Sequence, residues 1–324
     1  MESGKTRAGR ERAGLMLGYL ARRLVQMVPT ALLAATLVFS LIHLIPGDPV
    51  EMMLGEGARR TDVEALRHDL GLDRPLLLQY GSFLGGLLRG DLGHSLQSGE
   101  PVLALIAGRF PATAELAVAS LLIALLVALP LGVLAALHRD GIVDHAARLL
   151  SLLGVSVPSI WLGPMLILLF AITWDLLPVS GRGGLASVLL PAVTLGAGLA
   201  GLLTRMVRAA LADELVRPYL LAARARGLGG VAVVARHALK NALVPVVTVL
   251  GLQFGALLTG AILTETIFAW PGVGRLLVES IRLRDYPLLQ GAVLLIAFTY
   301  LLVNLATDLV YALLDPRIRY GRAS

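Results

Sequence analysis

Six stretches of this chain carry no Asp, Glu, Lys or Arg over 22 to 26 residues each. A helix needs about 20 mostly apolar residues to cross a bilayer, and at a rise of ~1.5 Å per residue each stretch reaches about 33 Å or more. The pattern predicts an all-α integral membrane protein with six transmembrane helices, whose ends extend into flanking polar residues. The stretches are 24–45, 116–137, 149–174, 183–204, 241–264 and 286–307.

The composition agrees with this fold class. Hydrophobic residues make up 56% of the chain and charged residues 15%, whereas soluble domains carry about 45–50% and about 25%. The absence of cysteine excludes disulfides, thiolate metal sites and cysteine nucleophiles. Several spans contain proline, including Pro158, and each such proline is expected to bend its helix because it lacks a backbone donor.

The charges predict the topology. With six spans and a cytoplasmic N-terminus, the inside segments carry a net charge of +10 and the outside segments −4. The positive-inside rule then places both termini in the cytoplasm. The sequence pI of about 10.0 is therefore interpreted as a topology signal in a bilayer-embedded protein, with no nucleic-acid partner expected. The predicted inside segments are 1–23, 138–148, 205–240 and 308–324.

Two segments outside the spans stand out. The first is a small extracytoplasmic helical insertion between helices 1 and 2, and the second is a cytoplasmic segment between helices 4 and 5 that is too apolar for a plain linker. Gly227-Leu228-Gly229-Gly230 divides the second into two short amphipathic helices, which should dock on helix ends or on a partner. The predicted organisation is a disordered basic cytoplasmic tail (1–18), transmembrane helix 1 (19–45), an extracytoplasmic helical segment (46–110), and a transmembrane domain (111–320) with a coupling loop (205–240).

Motifs for catalysis or cofactor binding are missing from the sequence. Gly4-Lys5-Thr6 resembles the end of a phosphate-binding loop, but no strand precedes it. The six histidines form no tight ligand cluster; Asp144 lies with His138 and His145 in a short segment interpreted as a solvated loop. We predict no catalytic residues, no cofactor and no metal ligands, so that any ATP hydrolysis takes place on another chain.

Two alternatives compete with a transport subunit. A self-sufficient secondary carrier would bury ionisable groups at depth and show an inverted repeat; His43 is the lone candidate, while Glu115 and Glu265 lie at span edges where snorkelling or capping is expected. An intramembrane enzyme would need a dyad or metal cluster inside the spans. Pathway-lining residues stay unassigned, with interhelical hydrogen bonding favoured for the polar span residues Thr204, Gln253, Thr259, Thr264, Asn304 and Thr307.

A known pattern begins in the cytoplasmic segment. Leu221-Ala222-Ala223-Arg224-Ala225-Arg226-Gly227, followed by His237-Ala238-Leu239-Lys240-Asn241-Ala242-Leu243, resembles the loop E-A-A-x3-G-x9-I-x-L-P of binding-protein-dependent ABC importer permeases. Ala222, Ala223, Gly227 and Leu239 match the motif, and Leu221, His237 and Lys240 replace its glutamate, isoleucine and proline. The variant is similar to the peptide/nickel branch of that family.

The resemblance continues over about 19–319 and fits the first-subunit type of that branch. It rests on the joint order of several motifs. These are Tyr19–Arg23 with Pro29, His43-Leu44-Ile45-Pro46-Gly47-Asp48-Pro49, Leu70-Gly71-Leu72-Asp73-Arg74-Pro75, Gly90-Asp91-Leu92-Gly93, Pro111-Ala112-Thr113-Ala114-Glu115-Leu116, Phe268-Ala269-Trp270-Pro271-Gly272-Val273-Gly274-Arg275 and Leu314-Asp315-Pro316-Arg317-Ile318-Arg319.

The resemblance implies a bacterial plasma-membrane importer in which a second homologous permease subunit shares the pathway. Two cytoplasmic ATPase subunits and an extracytoplasmic solute-binding protein complete it, and the substrate is a small peptide or a nickel chelate. The loop helix ends at Gly227, where glycine allows a positive φ, and inserts into a groove on the ATPase. The expected ATPase-coupling residues are Ala222, Ala223, Arg224, Arg226, Gly227, His237 and Leu239. Because the motif's glutamate is missing, Arg224 or Glu214 is expected to supply the ionic contact.

Overall fold

The computed structural model describes residues 2–44, 49–55, 57, 59–69 and 71–314. Its regular elements are helices, and the described residues hold one isolated β-bridge, between His94 and Pro101. The all-α membrane class is thus confirmed. The helices are α1 (Glu2–Leu44), α2 (Pro49–Leu54), α3 (Arg60–Asp69), α4 (Leu76–Arg89), α5 (Val102–Leu137), α6 (Ile142–Ser156), α7 (Ser159–Leu166), α8 (Leu185–Leu215), α9 (Pro218–Ala225), α10 (Gly230–Val233), α11 (Leu239–Ile267), α12 (Val273–Arg282) and α13 (Tyr286–Leu314).

Five of the described helices are long and apolar enough to cross a membrane, or up to seven if each of two bent pairs counts as one span. The predicted number of six lies within this range. Helix α1 begins at Glu2, so the segment expected to be a disordered tail continues the first span as helix. Its Glu, Arg and Ala residues are strong helix formers. Similarly, α8 runs on to Leu215, so the first eleven residues of the segment predicted as a coupling loop (205–240) are helical.

The apolar stretch 149–174 is a broken helix and not one straight span. Helix α6 ends at Ser156, α7 begins at Ser159, and the pair, extended by a π-helical segment over Ile167–Thr173, bends by 103°. Pro158 explains the break because it lacks an N–H and pushes the preceding residue out of the helical region. Val157 accordingly has an extended backbone, with φ −80° and ψ 118°.

The chain divides into two compact units. The first unit comprises Met1–Ala112 and Pro271–Leu302. It contains the buried carboxylate of Asp285, which accepts a hydrogen bond of 2.5 Å from Ser95. Gln290 on α13 donates to the carbonyl of Val38 on α1 at 3.1 Å. These bonds fix loop and helix positions within that unit.

The second unit, Thr113–Trp270 with Val303–Ser324, is built around α8. Leu203 and Val207 of α8 are fully buried, in a cluster with alanines of α5 and with Val246 of α11. Glycines allow the helices of this unit to approach closely: a Cβ on Gly196 would lie 2.7 Å from the carbonyl oxygen of Ser120 on α5. Such small-residue contacts are typical of membrane helix packing.

The two carboxylates at span edges behave differently. Glu115 forms an exposed ion pair with Arg182, at 2.5 Å. Glu265 was expected to snorkel or cap, but this prediction was wrong because its side chain is fully buried and accepts a hydrogen bond of 2.7 Å from Thr113. Both groups belong to the second unit. A buried carboxylate needs such a donor, since leaving it without partners carries a large desolvation penalty.

Candidate functional site: the segment between α8 and α11

Helix α9 is bounded by local backbone chemistry. Arg217 before it is extended, with φ −70° and ψ 139°, and Pro218 occupies the first turn, where a missing N–H costs nothing. After the helix, Gly227 has φ +82° and its N–H bonds the carbonyl of Arg224 at 2.9 Å. The positive φ expected at Gly227 is therefore present and turns the chain toward α10.

One face of α9 packs on its own chain. Leu220 is 0% exposed and Ala223 is 8% exposed. Both belong to a cluster with Leu211 of α8 and with Val233 and Ala238, which follow Gly227 in the chain. The spacing of Leu220 and Ala223 is the i, i+3 spacing of one helix face, so this stripe holds α9 against the ends of the neighbouring helices.

A polar network joins α9 to two further helices. The hydroxyl of Tyr219 donates to Oε1 of Glu214 on α8 at 2.6 Å, and Asn241 on α11 donates to the Tyr219 hydroxyl at 2.9 Å. The pKa of Tyr219 is raised above its ordinary value, mainly because the hydroxyl is partly removed from water and secondly because it bonds to Glu214. The phenol therefore stays protonated and keeps donating.

Sequence reasoning missed Tyr219 and Asn241 as members of the site, and it considered Glu214 only as a source of charge. Asn241 belongs to the sequence segment 237–243 that resembles the family motif. It lies 22 residues after Tyr219, and a separation of that length does not predict a contact. The pairing depends on how α8, α9 and α11 meet.

The opposite face of α9 and the turn after it are exposed. Leu221 is 62% exposed and Val231 is 85% exposed. Arg224 and Arg226 are also exposed. We call this surface, formed by Leu221, Ala222, Arg224, Arg226 and Val231, the outer face of the loop.

The structure separates the expected coupling residues into two groups. Ala222, Arg224, Arg226 and Gly227 are exposed. Ala223 is buried in its own chain, and His237 and Leu239 are half-buried in the helical run that leads into α11. His237 lies in a π-helical turn over Val234–Ala238, with Nδ1 3.4 Å from the carbonyl oxygen of Ala232.

A charged cluster ties α6 to the part of α8 that leads into the loop. Asp144 was interpreted as part of a solvated loop, but this prediction was wrong because its side chain is 0% exposed. Arg208 of α8 donates to both of its oxygens, at 2.5 and 2.6 Å, and Arg148 adds a bond of 2.7 Å. The backbone N–H of Asp140 donates at 3.0 Å. A buried charge persists when it is paired and hydrogen-bonded in this way.

The polar residues of the spans also differ from expectation. Thr204 and Thr307 donate to carbonyls one turn earlier in their own helices, at 2.7 and 2.8 Å. The expected interhelical bonding was therefore wrong for their hydroxyls. Gln253 instead lines a groove between helices. The side chain of Thr259 lies outside the described residues.

Comparison with known proteins extends these observations. Residues 128–320 match the family "Binding-protein-dependent transport system inner membrane component", and residues 16–117 match the corresponding N-terminal family. The dipeptide transport system permease protein DppB of Escherichia coli (strain K12) is 43% identical over 95% of this chain and 100% of that protein. The glutathione transport system permease protein GsiC of Pectobacterium atrosepticum is 43% identical over 94% of this chain and 100% of its own length.

A solved structure shares the fold. The inward-facing MetNI methionine ABC transporter aligns with a TM-score of 0.55 at 20% identity, covering 66% of this chain and 97% of that chain. At this identity the likeness speaks for the fold alone. The family matches over most of the chain and the 43% identity to two permeases show that the chain belongs to the binding-protein-dependent transport system inner membrane components and is a transmembrane permease subunit of an ABC importer.

Proposed function

We propose that this permease forms half of a translocation pathway for short peptides and that the outer face of its loop receives the ATPase. The observation that carries the proposal is the two-sided character of α9. Its inner residues Leu220 and Ala223 are anchored in the chain, while Leu221, Arg224 and Arg226 are exposed. A helix exposed in this way beside the membrane has apolar surface to bury and charges to pair.

The chemistry of the outer face specifies the partner surface. Leu221 would contact an apolar surface at the base of the ATPase groove, because burying its side chain contributes about 1.5–3 kcal/mol to binding. Arg224 and Arg226 would pair with carboxylates at the rim of that groove, through charge-assisted hydrogen bonds. Leu221 stands where the family motif has glutamate, so the ionic contacts of this loop come from its arginines.

The anchors explain how a push on α9 reaches the pathway. The Tyr219 network fixes α9 to the ends of α8 and α11. The Asp144–Arg208 pair fixes α8 to α6. A movement of the ATPase then displaces a connected set of helices as a body, and coupling arises because the ATPase contacts differ between the two states.

As a member of this family the chain is a multi-pass membrane subunit that works with an ATPase and a binding protein. We further propose a second homologous permease subunit, two ATPases that carry out ATP hydrolysis, and both termini in the cytoplasm of a bacterial inner membrane. The net charges of +10 and −4 on the two sides support this orientation. The division into a tail (1–18), helix 1 (19–45), an extracytoplasmic segment (46–110) and a transmembrane domain (111–320) belongs to the same proposal.

The substrate assignment rests on relatives. Two proteins that match this chain over nearly its full length are permeases for dipeptides and for glutathione, which is itself a short peptide. A short peptide is therefore the substrate class we propose. A nickel chelate, which the sequence left open, becomes the second arm of the test.

Uptake of a labelled dipeptide and of labelled nickel tests the substrate in cells that carry the full complex with or without this subunit. We expect dipeptide uptake to depend on the subunit. The peptide assignment would be overturned if only nickel uptake depended on the subunit, or if the uptake of neither label did.

Cross-linking tests the docking face. The chain has no cysteine, so Ala222→Cys introduces a single thiol on the exposed side of α9. We expect it to form a disulfide with a cysteine placed in the ATPase groove. Ala223→Cys is the matched control, because Ala223 is the next residue in the helix and its side chain is buried in the permease itself. Equal cross-linking of both variants, or of neither, would contradict the proposed docking geometry.

A further inference from the structure

A groove of about 340 Å³ lies between α6, α8 and α11 in the second unit. Its walls are mostly apolar, with four leucines beside Val155, Gly198 and Ala256. Two polar side chains line it, Arg205 of α8 and Gln253 of α11. A mainly apolar cavity of this size with few converging polar groups is the usual form of a small-molecule site.

Arg205 differs from the arginine one turn along the same helix. Arg208 is held by Asp144, and that carboxylate is already shared with Arg148. Arg205 is exposed and forms no hydrogen bond or ion pair within the part of the chain that the structure describes. Its charge is therefore available to a ligand in the groove.

The placement makes this charge informative. Arg205 belongs to α8, a helix that qualifies as a membrane span, and stands where the predicted inside segment begins. Its side chain lines the groove together with Gln253, so a ligand in the groove would meet its charge. The guanidinium fork fits a carboxylate with two parallel hydrogen bonds. Gln253 adds an amide that can both donate and accept, which suits a peptide bond.

The geometry points to this groove as a binding surface for the transported peptide, in which Arg205 pairs with the C-terminal carboxylate and Gln253 bonds the peptide amide. The apolar walls accept the peptide side chain. This inference rests on the proposed peptide function and adds the residues that contact the substrate on its way through the membrane. Charge complementarity selects a carboxylate, since Arg205 is the ionisable residue of the groove lining.

A cysteine-protection experiment tests the groove in the assembled importer. The chain lacks cysteine, so Ala256→Cys places one small thiol in the groove wall. The complex, with cysteine-free partner subunits and binding protein, is reconstituted in lipid nanodiscs and labelled with an anionic methanethiosulfonate. We expect labelling to slow several-fold when the dipeptide, its binding protein and ATP are all present. Lys240→Cys, exposed at the start of α11, is the control and should label equally with or without peptide.

Arg205 is tested separately, in the Ala256→Cys background. Arg205→Gln should abolish the protection of the introduced thiol and lower dipeptide uptake several-fold, while binding-protein-stimulated ATP hydrolysis continues. Arg205→Lys should retain part of both. Unchanged protection in Arg205→Gln would overturn the role of Arg205.

Two other outcomes bear on the groove itself. If the thiol introduced by Ala256→Cys never labels, lipid or the second permease fills the groove, which also overturns the inference. If the unmodified importer takes up no dipeptide, the proposed function itself is refuted. Failure of the groove inference and failure of the proposed function are therefore distinguishable.

Discussion

The Arg208 guanidinium binds the carboxylate of Asp144 through two hydrogen bonds, from Nε to Oδ1 at 2.5 Å and from Nη2 to Oδ2 at 2.6 Å. The two residues are 64 positions apart in the chain. Asp144 stands in the first turn of α6 and is fully buried, whereas Arg208 lies in the last third of α8. This pair connects the broken helix pair α6–α7 to α8, the helix that leads into α9.

Removing the buried carboxylate is expected to destabilise the permease. Asp144→Ala leaves Arg208 without its partner, and breaking a buried ion pair in this way typically costs about 3–5 kcal/mol. Asp140→Asn is the control, because Asp140 also pairs with Arg148 but its side chain is 74% exposed, where a pair is worth about 0–1 kcal/mol. Asparagine also tolerates the φ of +62° at this position. Thermal unfolding of the purified complex measures both. Equal shifts in the melting temperature would show that burial of Asp144 adds nothing.

The Tyr219 hydroxyl is expected to matter for coupling more than for folding. Tyr219→Phe removes the donor to Glu214 and the acceptor for Asn241, at a cost of about 0.5–1.5 kcal/mol for one hydrogen bond. The peptide transported per ATP hydrolysed should fall in proteoliposomes, because α9 then shifts without moving α8 and α11. Tyr300→Phe serves as control, since the Tyr300 hydroxyl bonds to none of the described residues. A normal transport ratio in Tyr219→Phe would refute the role of the network.

A β-branched residue at Gly227 is expected to uncouple transport from ATP hydrolysis. The φ of +82° disfavours residues with a Cβ by about 1–2 kcal/mol, so Gly227→Val should lengthen or misdirect the end of α9. Gly227→Asn should be milder, because asparagine tolerates this region. Gly229→Ala, where φ is −65° and the surroundings are open, should behave as wild type. Coupled uptake at the normal rate in Gly227→Val would remove the basis for assigning the turn to coupling.

The contact between α6 and α8 predicts a contrast between two glycines of α8. A Cβ on Gly201 would collide with the carbonyl oxygen of Ser151, whereas a Cβ on Gly198 would meet the Gly154 carbonyl oxygen at an ordinary 3.6 Å. Gly201→Ala should therefore lower the stability by about 1–3 kcal/mol through overpacking. Gly198→Ala should be neutral or slightly stabilising, because alanine favours helix. Melting temperatures of the two variants compare them directly, and a reversed order would mean that the helices separate easily here.

Part of the site could be predicted from the sequence because its signals are local. Gly227 ends a short helix by its own conformational freedom, and the structure gives it the positive φ that this requires. Ala222, Arg224 and Arg226 follow from a motif with fixed spacing. The sequence could not separate Ala222 from Ala223, since adjacent small residues look alike until the docking of α9 buries one of them.

The membrane class and the approximate position of the spans follow from local composition alone. Lipid offers no hydrogen bonds, so a helical span needs about 20 mostly apolar residues, and such a stretch is a local property of composition. Pro158 predicted a bend, but its angle of 103°, the burial of Asp144 and Glu265, and the groove beside Arg205 are visible only once the helices are packed. Each of these depends on which helices meet and at what angle, and the side chains concerned find their partners across tens of residues of intervening chain.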